Sequence, residues 1–188
     1  KAAGLLAHQH GMNISRRRIT LSTSGVLPGI KRFIEEKQPY RLALSLHAVF
    51  AEKRRAIMDI EEKFAFEEVL EYLREHRGEM QQGQLMFEYI MIDGVNIFPD
   101  DAKELARWAK LLKAKVNLIP FNPWPGATYE CSTPERVKRF SEIVFEHGIS
   151  APVRTPRGRD IDAACGQLKT AAEKKSRAER DRETAAAG

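Results

Sequence analysis

Cysteines and long apolar runs are scarce in this sequence of 188 residues. Cys131 and Cys165 are its only cysteines, which excludes a disulfide-rich scaffold and predicts two free thiols. No apolar run approaches the ~20 residues that a membrane-spanning helix needs, and residues 1–11 carry no clear export signal. We therefore expect a cytoplasmic protein that does not enter the membrane.

The composition is that of an ordinary globular domain. Hydrophobic residues make up 43% and charged residues 30% of the chain, which excludes a disordered or collagen-like protein and provides for a sizeable core. The net charge is +5 and the isoelectric point about 9.3. This basic excess suits an RNA-binding protein, but many proteins without nucleic-acid partners share it.

Strand and helix patterns alternate along the chain. Phe66, Val69, Leu70 and Leu73 have the spacing of one buried helical stripe. Apolar runs rich in β-branched residues predict strands, and prolines mark several helix starts. The predicted strands cover residues 18–25, 41–47, 85–92 and 115–120, with a short fifth near 150–154, and the predicted helices begin near Pro28, Phe66, Pro99 and Pro134.

Four βα units in a row predict an α/β fold with parallel strands, because each helix returns the chain to the same end of the sheet. A complete (βα)₈ barrel needs roughly 250 residues, so we expect a partial barrel. Residues 1–168 would form this core. Residues 169–188 lack an apolar stripe and are expected to be a charged tail, frayed or disordered.

Polar residues follow the predicted strand ends, where ligands bind in such folds. Residues 22–24 beside Gly25 are either ligand-binding hydroxyls or a Ser/Thr turn, and the turn is favoured. Ser45 and His47 would share one face of a strand, although a lone histidine is more often structural. Asn122, between two prolines, either holds a ligand or caps its own backbone.

Cys165 stands among small residues, in the segment Ala-Ala-Cys-Gly. Such a thiol is either open to a substrate or a small buried residue at a helix start, and the two interpretations are evenly balanced. Arg157 and Arg159 would favour the reactive thiolate, whereas Asp160 and Asp162 would oppose it.

Other residues are less specific. The run Arg16-Arg17-Arg18 either contacts phosphates or is a solvated face. Phe121 and Trp124 either stack a base or pack beneath the proline-rich turn. No P-loop, dinucleotide fingerprint, zinc ligand set or Ser-His-Asp arrangement is evident.

Five motifs occur in order along the chain: RRITLSTSG (17–25), LSLHA (44–48), FEYIMIDGVN (87–96), NLIPFNPWPG (117–126) and DIDAACGQL (160–168). Together they resemble the RlmN family, bacterial dual-specificity RNA adenine-C2 methyltransferases of the radical S-adenosylmethionine (SAM) superfamily. The resemblance runs from about residue 15 to residue 168. It implies that the partial barrel is of radical SAM type and comprises its C-terminal four βα units.

The resemblance also implies roles for individual residues. Cys165 falls on the cysteine that is methylated and then transfers its carbon to the adenine ring. The implied cofactors are SAM and a [4Fe–4S] cluster, whose cysteine motif this chain lacks, so no metal ligand is expected here and the chain alone should be inactive. The implied partners are 23S rRNA and tRNA, bound by a monomer. The family's SAM-contacting positions correspond to Ser22, Ser45, Leu46, His47 and Asn122.

Two alternatives remain beside this interpretation. One is a related enzyme that methylates carbon-8 of adenine, and the other is a non-catalytic RNA-binding remnant. The sequence also departs from the family pattern at Phe50, Asp59 and Glu61, where relatives usually have Asn, Pro and Asn. These departures put the usual conformation of that loop in doubt.

Overall fold

The computed structural model describes residues 2–123 and 127–154. Within them, one parallel sheet has its four strands in sequential order. The strands are β1 (Thr20–Thr23), β2 (Arg41–Ser45), β3 (Leu85–Met91) and β4 (Lys115–Pro120). The helices are α1 (Ala2–Ala7), α2 (Leu27–Glu35), α3 (Ala51–Ile57), α4 (Phe66–Glu75), α5 (Pro99–Leu111) and α6 (Pro134–Glu146), with 3₁₀ turns at Arg16–Arg18, Asp59–Glu62 and Arg77–Glu79.

The predicted alternation of strands and helices is confirmed, with two differences. The predicted first and second strands are too long, since β1 covers only Thr20–Thr23 and β2 ends at Ser45. The sequence interpretation also missed α1 and α3. Both helices are short and have no apolar stripe from which they could be predicted.

The two faces of the sheet have different surroundings. Leu44, Phe87, Tyr89 and Leu118 belong to the buried core together with residues of the helices. The Tyr89 ring, for example, stacks on Phe140 of α6 with 5.5 Å between ring centres. Buried and half-buried residues alternate along β3, and the half-buried ones, Met86, Glu88 and Ile90, lie on the opposite face. This second face corresponds to the interior of a barrel.

A fifth strand segment joins the sheet beside β4, as predicted for residues 150–154. The Leu118 amide donates to the Pro152 carbonyl at 3.0 Å, and the Arg154 amide donates to the Leu118 carbonyl at 2.7 Å. The resulting parallel bridge pairs Leu118 with Val153. The order of strands therefore continues past β4 in the same direction.

The predicted ends of α6 are also confirmed. The Thr133 hydroxyl accepts the Arg136 amide at 3.4 Å, and Pro134 is the first helical residue. After the helix, Gly148 has φ +85°, the left-handed conformation in which glycine is preferred. Among the described residues, none of the helices is long and apolar enough to cross a bilayer.

Candidate functional site at the carboxyl ends of the strands

At the end of β1, two neighbouring hydroxyl side chains differ in their hydrogen bonding. Thr23 Oγ1 accepts the amides of Gly25 and Val26, both at 3.2 Å, so it makes the favoured Ser/Thr turn. Ser22 is exposed on the other face of the strand, and its hydroxyl makes no hydrogen bond within the described residues. Of these two residues, Ser22 is the one available to a ligand.

Beyond β2 the chain leaves the sheet in an unusual conformation. The Leu46 amide donates to the Glu88 carbonyl at 3.0 Å, and His47 then has φ +60°. The prediction that Ser45 and His47 share a face of one strand is therefore wrong, because the strand stops between them. A non-glycine residue in this conformation must be held by its surroundings, and such residues concentrate at functional sites.

His47 is held as a neutral imidazole. Its Nδ1 atom accepts the Ile90 amide at 3.2 Å, so a neutral ring carries its proton on Nε2. Burial, and next the positive charge of Arg54, lower the pKa of His47 from 6.5 to about 4. Near neutral pH, the ring therefore offers one N–H donor and no charge.

The side chain of Asn96 holds the turn at His47 through backbone hydrogen bonds. Its Oδ1 atom accepts the Ile92 amide at 2.8 Å, and its Nδ2 atom donates to the carbonyls of His47 and Ile90, each at 2.6 Å. The side chain is fully buried. These hydrogen bonds give Asn96 a structural role.

Arg54 of α3 is a buried residue that the sequence interpretation missed. Its side chain is 1% exposed and forms an ion pair with Glu61. Its remaining donors reach backbone carbonyls at the ends of β1 and β2. Glu61, a departure from the family pattern, thus has a definite packing role here. No contact of Asp59 accounts for the departure at that position.

The sheet register places a row of polar residues on the barrel-interior face. Ser45 is paired with Glu88, which is paired in turn with Asn117. All three are half-buried, and their side chains make no hydrogen bond within the described residues. Glu88 and Asn117 were missed, although a carboxylate between Phe87 and Tyr89 in an apolar strand was a usable signal.

At the end of β4, Asn122 is half-buried and its amide makes no hydrogen bond within the described residues. The preceding Phe121 is buried, and its ring meets that of Tyr129 edge-on with 6.3 Å between centres. Packing beneath the turn therefore accounts for Phe121. Trp124 lies outside the described residues.

Leu46, another predicted SAM-contacting residue, has no exposed side chain and no unused backbone group. Its carbonyl accepts both Arg54 Nε at 2.9 Å and the Ala48 amide at 2.8 Å. The geometry therefore gives Leu46 the role of shaping the turn between Ser45 and His47.

Arg17, from the predicted basic run, does not join this site. Arg17 lines an open cavity of about 340 Å³ with Arg41 and Lys115, the first residues of β2 and β4. That cavity lies at the amino ends of the strands, opposite the candidate site. Cys165, with its neighbours Arg157 and Arg159, lies outside the described residues.

The described residues contain no cluster of three or more His, Cys, Asp or Glu side chains that could hold a metal ion. Cys131 is exposed and is a free thiol, as predicted. The candidate site therefore offers groups for an organic ligand, namely two hydroxyls, two amides, one imidazole N–H and one carboxylate.

Comparison with known proteins finds relatives that align over nearly the whole chain. Two curated relatives, both named dual-specificity RNA methyltransferase RlmN, align over 183 residues and 96% of this chain. The protein of Erythrobacter litoralis is 58% identical and that of Novosphingobium aromaticivorans 56% identical. Over the aligned residues, the chain is similar to a C-terminal portion of these RlmN proteins. It spans only 44% and 42% of the length of these two relatives.

Solved structures agree with the RlmN relationship. A radical SAM methyltransferase from Sphaerobacter thermophilus superposes with a TM-score of 0.79 and 42% identity, over 86% of this chain and 47% of that protein. A domain of the pyruvate-formate lyase-activating enzyme from Bacteroides vulgatus superposes with a TM-score of 0.55 over 72% of this chain and 80% of that domain. Its identity is 15%, so this likeness concerns the fold alone.

The α/β fold with parallel strands, predicted as part of a radical SAM barrel, is thereby confirmed. No protein-family model matches the chain.

Proposed function

We propose that this chain supplies part of the SAM site of a radical SAM enzyme that methylates carbon-2 of adenine in RNA. One observation carries the proposal. The side chains of Ser22, Ser45 and Asn122, at three strand ends, make no hydrogen bond within the described part of the chain, whereas Thr23 and Asn96 hydrogen-bond to the backbone. Unused polar groups gathered at the carboxyl ends of parallel strands are typical of a ligand site.

The chemistry of these groups suits SAM. Its ribose hydroxyls, amino acid group and adenine ring need hydrogen-bond donors and acceptors, which the serines and Asn122 supply. SAM also carries a positive sulfonium. Neutral His47 adds a donor without repelling that charge, and the carboxylate of Glu88 on the same sheet face attracts it.

The residues present thus fit SAM, and they fit no iron–sulfur cluster, which needs a set of thiolates. When bound, SAM supplies the methyl group and the radical chemistry that an unreactive ring carbon requires. This chain would bind and orient SAM, and it would keep the His47 side chain of the site neutral. Cys165 is proposed as the thiol that carries the methyl group, on the strength of the DIDAACGQL motif.

We infer that the substrates of the whole protein are 23S rRNA and tRNA in the cytoplasm. The name of the curated relatives, dual-specificity RNA methyltransferase, supports RNA as the substrate class. The basic net charge of +5 is compatible with it.

Equilibrium dialysis of SAM against the full-length protein that carries this chain tests the site. Ser45→Ala and Asn122→Ala should each weaken SAM binding about tenfold, because each removes a hydrogen bond to a polar or charged ligand group. Ser15→Ala is the matched control, since Ser15 is exposed, makes no side-chain hydrogen bond to any residue that the structure describes, and lies before the amino end of β1. Equal SAM affinity in all three variants would refute the assignment.

A further inference from the structure

Arg54 is the largest fully buried side chain among the described residues. It lies in α3, a helix of seven residues, in which it is the only buried residue. An arginine keeps its charge inside a protein, and burial of that charge is costly unless its donors are all engaged. The position therefore needs a physical reason.

The donors of Arg54 converge on the ends of two strands. Nε donates to the Leu46 carbonyl at 2.9 Å, and Nη2 donates to the Ser24 carbonyl at 2.6 Å and to the Ser45 carbonyl at 3.5 Å. Nη1 binds Glu61. The planar fork of a guanidinium can serve such separate acceptors at fixed angles, which a single ammonium cannot do.

These carbonyls lie where the sheet no longer connects the two strands. The last paired residues of β1 and β2 are Thr23 and Leu44. Beyond them, within the described residues, no backbone hydrogen bond joins the Ser24 turn to residues 45–47. The hydrogen bonds of the Arg54 side chain connect these two segments in place of backbone hydrogen bonds.

The surroundings of Arg54 are built to hold its fork in one place. The carboxylate of Glu61 also accepts the amide of Phe66, the first residue of α4, at 3.1 and 3.3 Å. Gly25 leaves room on the other side, since a Cβ atom there would come within 3.3 Å of Nη2. Movement of Arg54 is therefore restricted from two elements.

We propose that Arg54 is a positioning residue for SAM, because it fixes the distance and angle between the β1 and β2 ends. This inference rests on the proposed function. Ser22 lies two residues before the carbonyl of Ser24. At the end of β2, Arg54 binds the carbonyl of Ser45 itself and that of Leu46, which directly precedes His47. Since each peptide unit is planar, a fixed carbonyl also orients the residue that follows it.

A purely structural role would reside in the ion pair, whereas positioning resides in the bonds to the carbonyls. Two variants separate these contributions. Glu61→Gln removes the charge partner but keeps, in Oε1, an acceptor for both Nη1 of Arg54 and the amide of Phe66, so the carbonyl bonds of Arg54 should stay in place. Arg54→Met with Glu61→Gln removes the carbonyl bonds while leaving no unpaired charge buried.

Equilibrium dialysis of SAM and RNA-binding titrations on the full-length protein provide the readouts. Glu61→Gln should bind SAM within about threefold of the unsubstituted protein. The double variant should bind SAM at least tenfold more weakly, as misplaced groups at a binding site do. Its RNA affinity should be unchanged. Similar SAM affinity for the two variants, whether both weak or both normal, would overturn the proposal.

Arg54→Lys keeps the experiment decisive if the double variant does not fold. It preserves the ion pair with Glu61 but cannot reach carbonyls on both strands, so SAM binding should again fall about tenfold or more. Full SAM affinity in Arg54→Lys would contradict a positioning role. Absence of SAM binding in the unsubstituted protein would instead refute the proposed function, so the two failures are distinguishable.

Discussion

Single side chains at the strand ends divide into those that hold the backbone and those that remain available. Thr23 and Asn96 hydrogen-bond to nearby backbone amides and carbonyls, whereas the side chains of Ser22, Ser45 and Asn122 make no hydrogen bond among residues 2–123 and 127–154. Sequence position alone gives no way to separate Thr23 from Ser22, because adjacent hydroxyls differ only in the face to which they point. Resemblance to a family points to Ser22 as the ligand contact of this pair, which stays a prediction.

His47 makes the stability of the protein depend on pH. Its pKa is lowered from 6.5 to about 4 by burial and by Arg54, so the unfolded chain takes up a proton at a pH where the folded chain does not. The stabilisation is complete above pH 6.5 and is lost as the pH falls to 4. Between these limits the free energy of unfolding should decrease by up to about 3 kcal/mol on this account.

Urea unfolding at several pH values, with and without His47→Gln, isolates that contribution. The substituted protein lacks the titrating ring, so its free energy of unfolding should fall less between pH 6.5 and pH 4. Parallel curves for the two proteins would contradict the lowered pKa of His47.

Among the helices and strands, α3 is one that could not be predicted from the sequence. The longer helices were predicted from their apolar stripes and proline starts, as the agreement at α4 and α6 shows. α3 has the sequence AEKRRAI, which offers no such stripe. Its position depends on two charged side chains, Lys53 and Arg54, whose partners are distant in the sequence and so leave no local pattern.

The Lys53–Asp101 pair should be one of the interactions that hold α3 against α5. Lys53 Nζ lies 2.7 and 2.8 Å from the carboxylate oxygens of Asp101, which is fully buried and accepts the Phe98 amide. Burial raises the pKa of Asp101, and the bond from Lys53 counters part of that rise. Lys53→Met leaves the buried carboxylate without its cation, so the free energy of unfolding should fall by about 3 kcal/mol.

Thermal or urea unfolding measures this loss. Lys103→Met is the matched control, because the Lys103–Asp100 pair is largely exposed and contributes about 0–1 kcal/mol. An equal effect of the two substitutions would show that burial does not strengthen the contribution of Lys53.

At the scale of the whole molecule, the chain is a segment of a barrel with its interior face partly open. The order of strands and their parallel direction could be predicted from the succession of βα units, since only one connection geometry is common. The barrel-interior row of Ser45, Glu88 and Asn117 could not, because it depends on register between strands far apart in sequence.

The central claim is that this barrel segment belongs to an enzyme that methylates carbon-2 of adenine through Cys165. Mass spectrometry of nucleosides from unmodified 23S rRNA and tRNA, incubated with the cluster-loaded full-length protein and SAM, tests it most directly. The account predicts 2-methyladenosine, its loss in Cys165→Ala and its retention in Cys131→Ala, which removes an exposed thiol. Formation of 8-methyladenosine, or 2-methyladenosine made by Cys165→Ala, would contradict it.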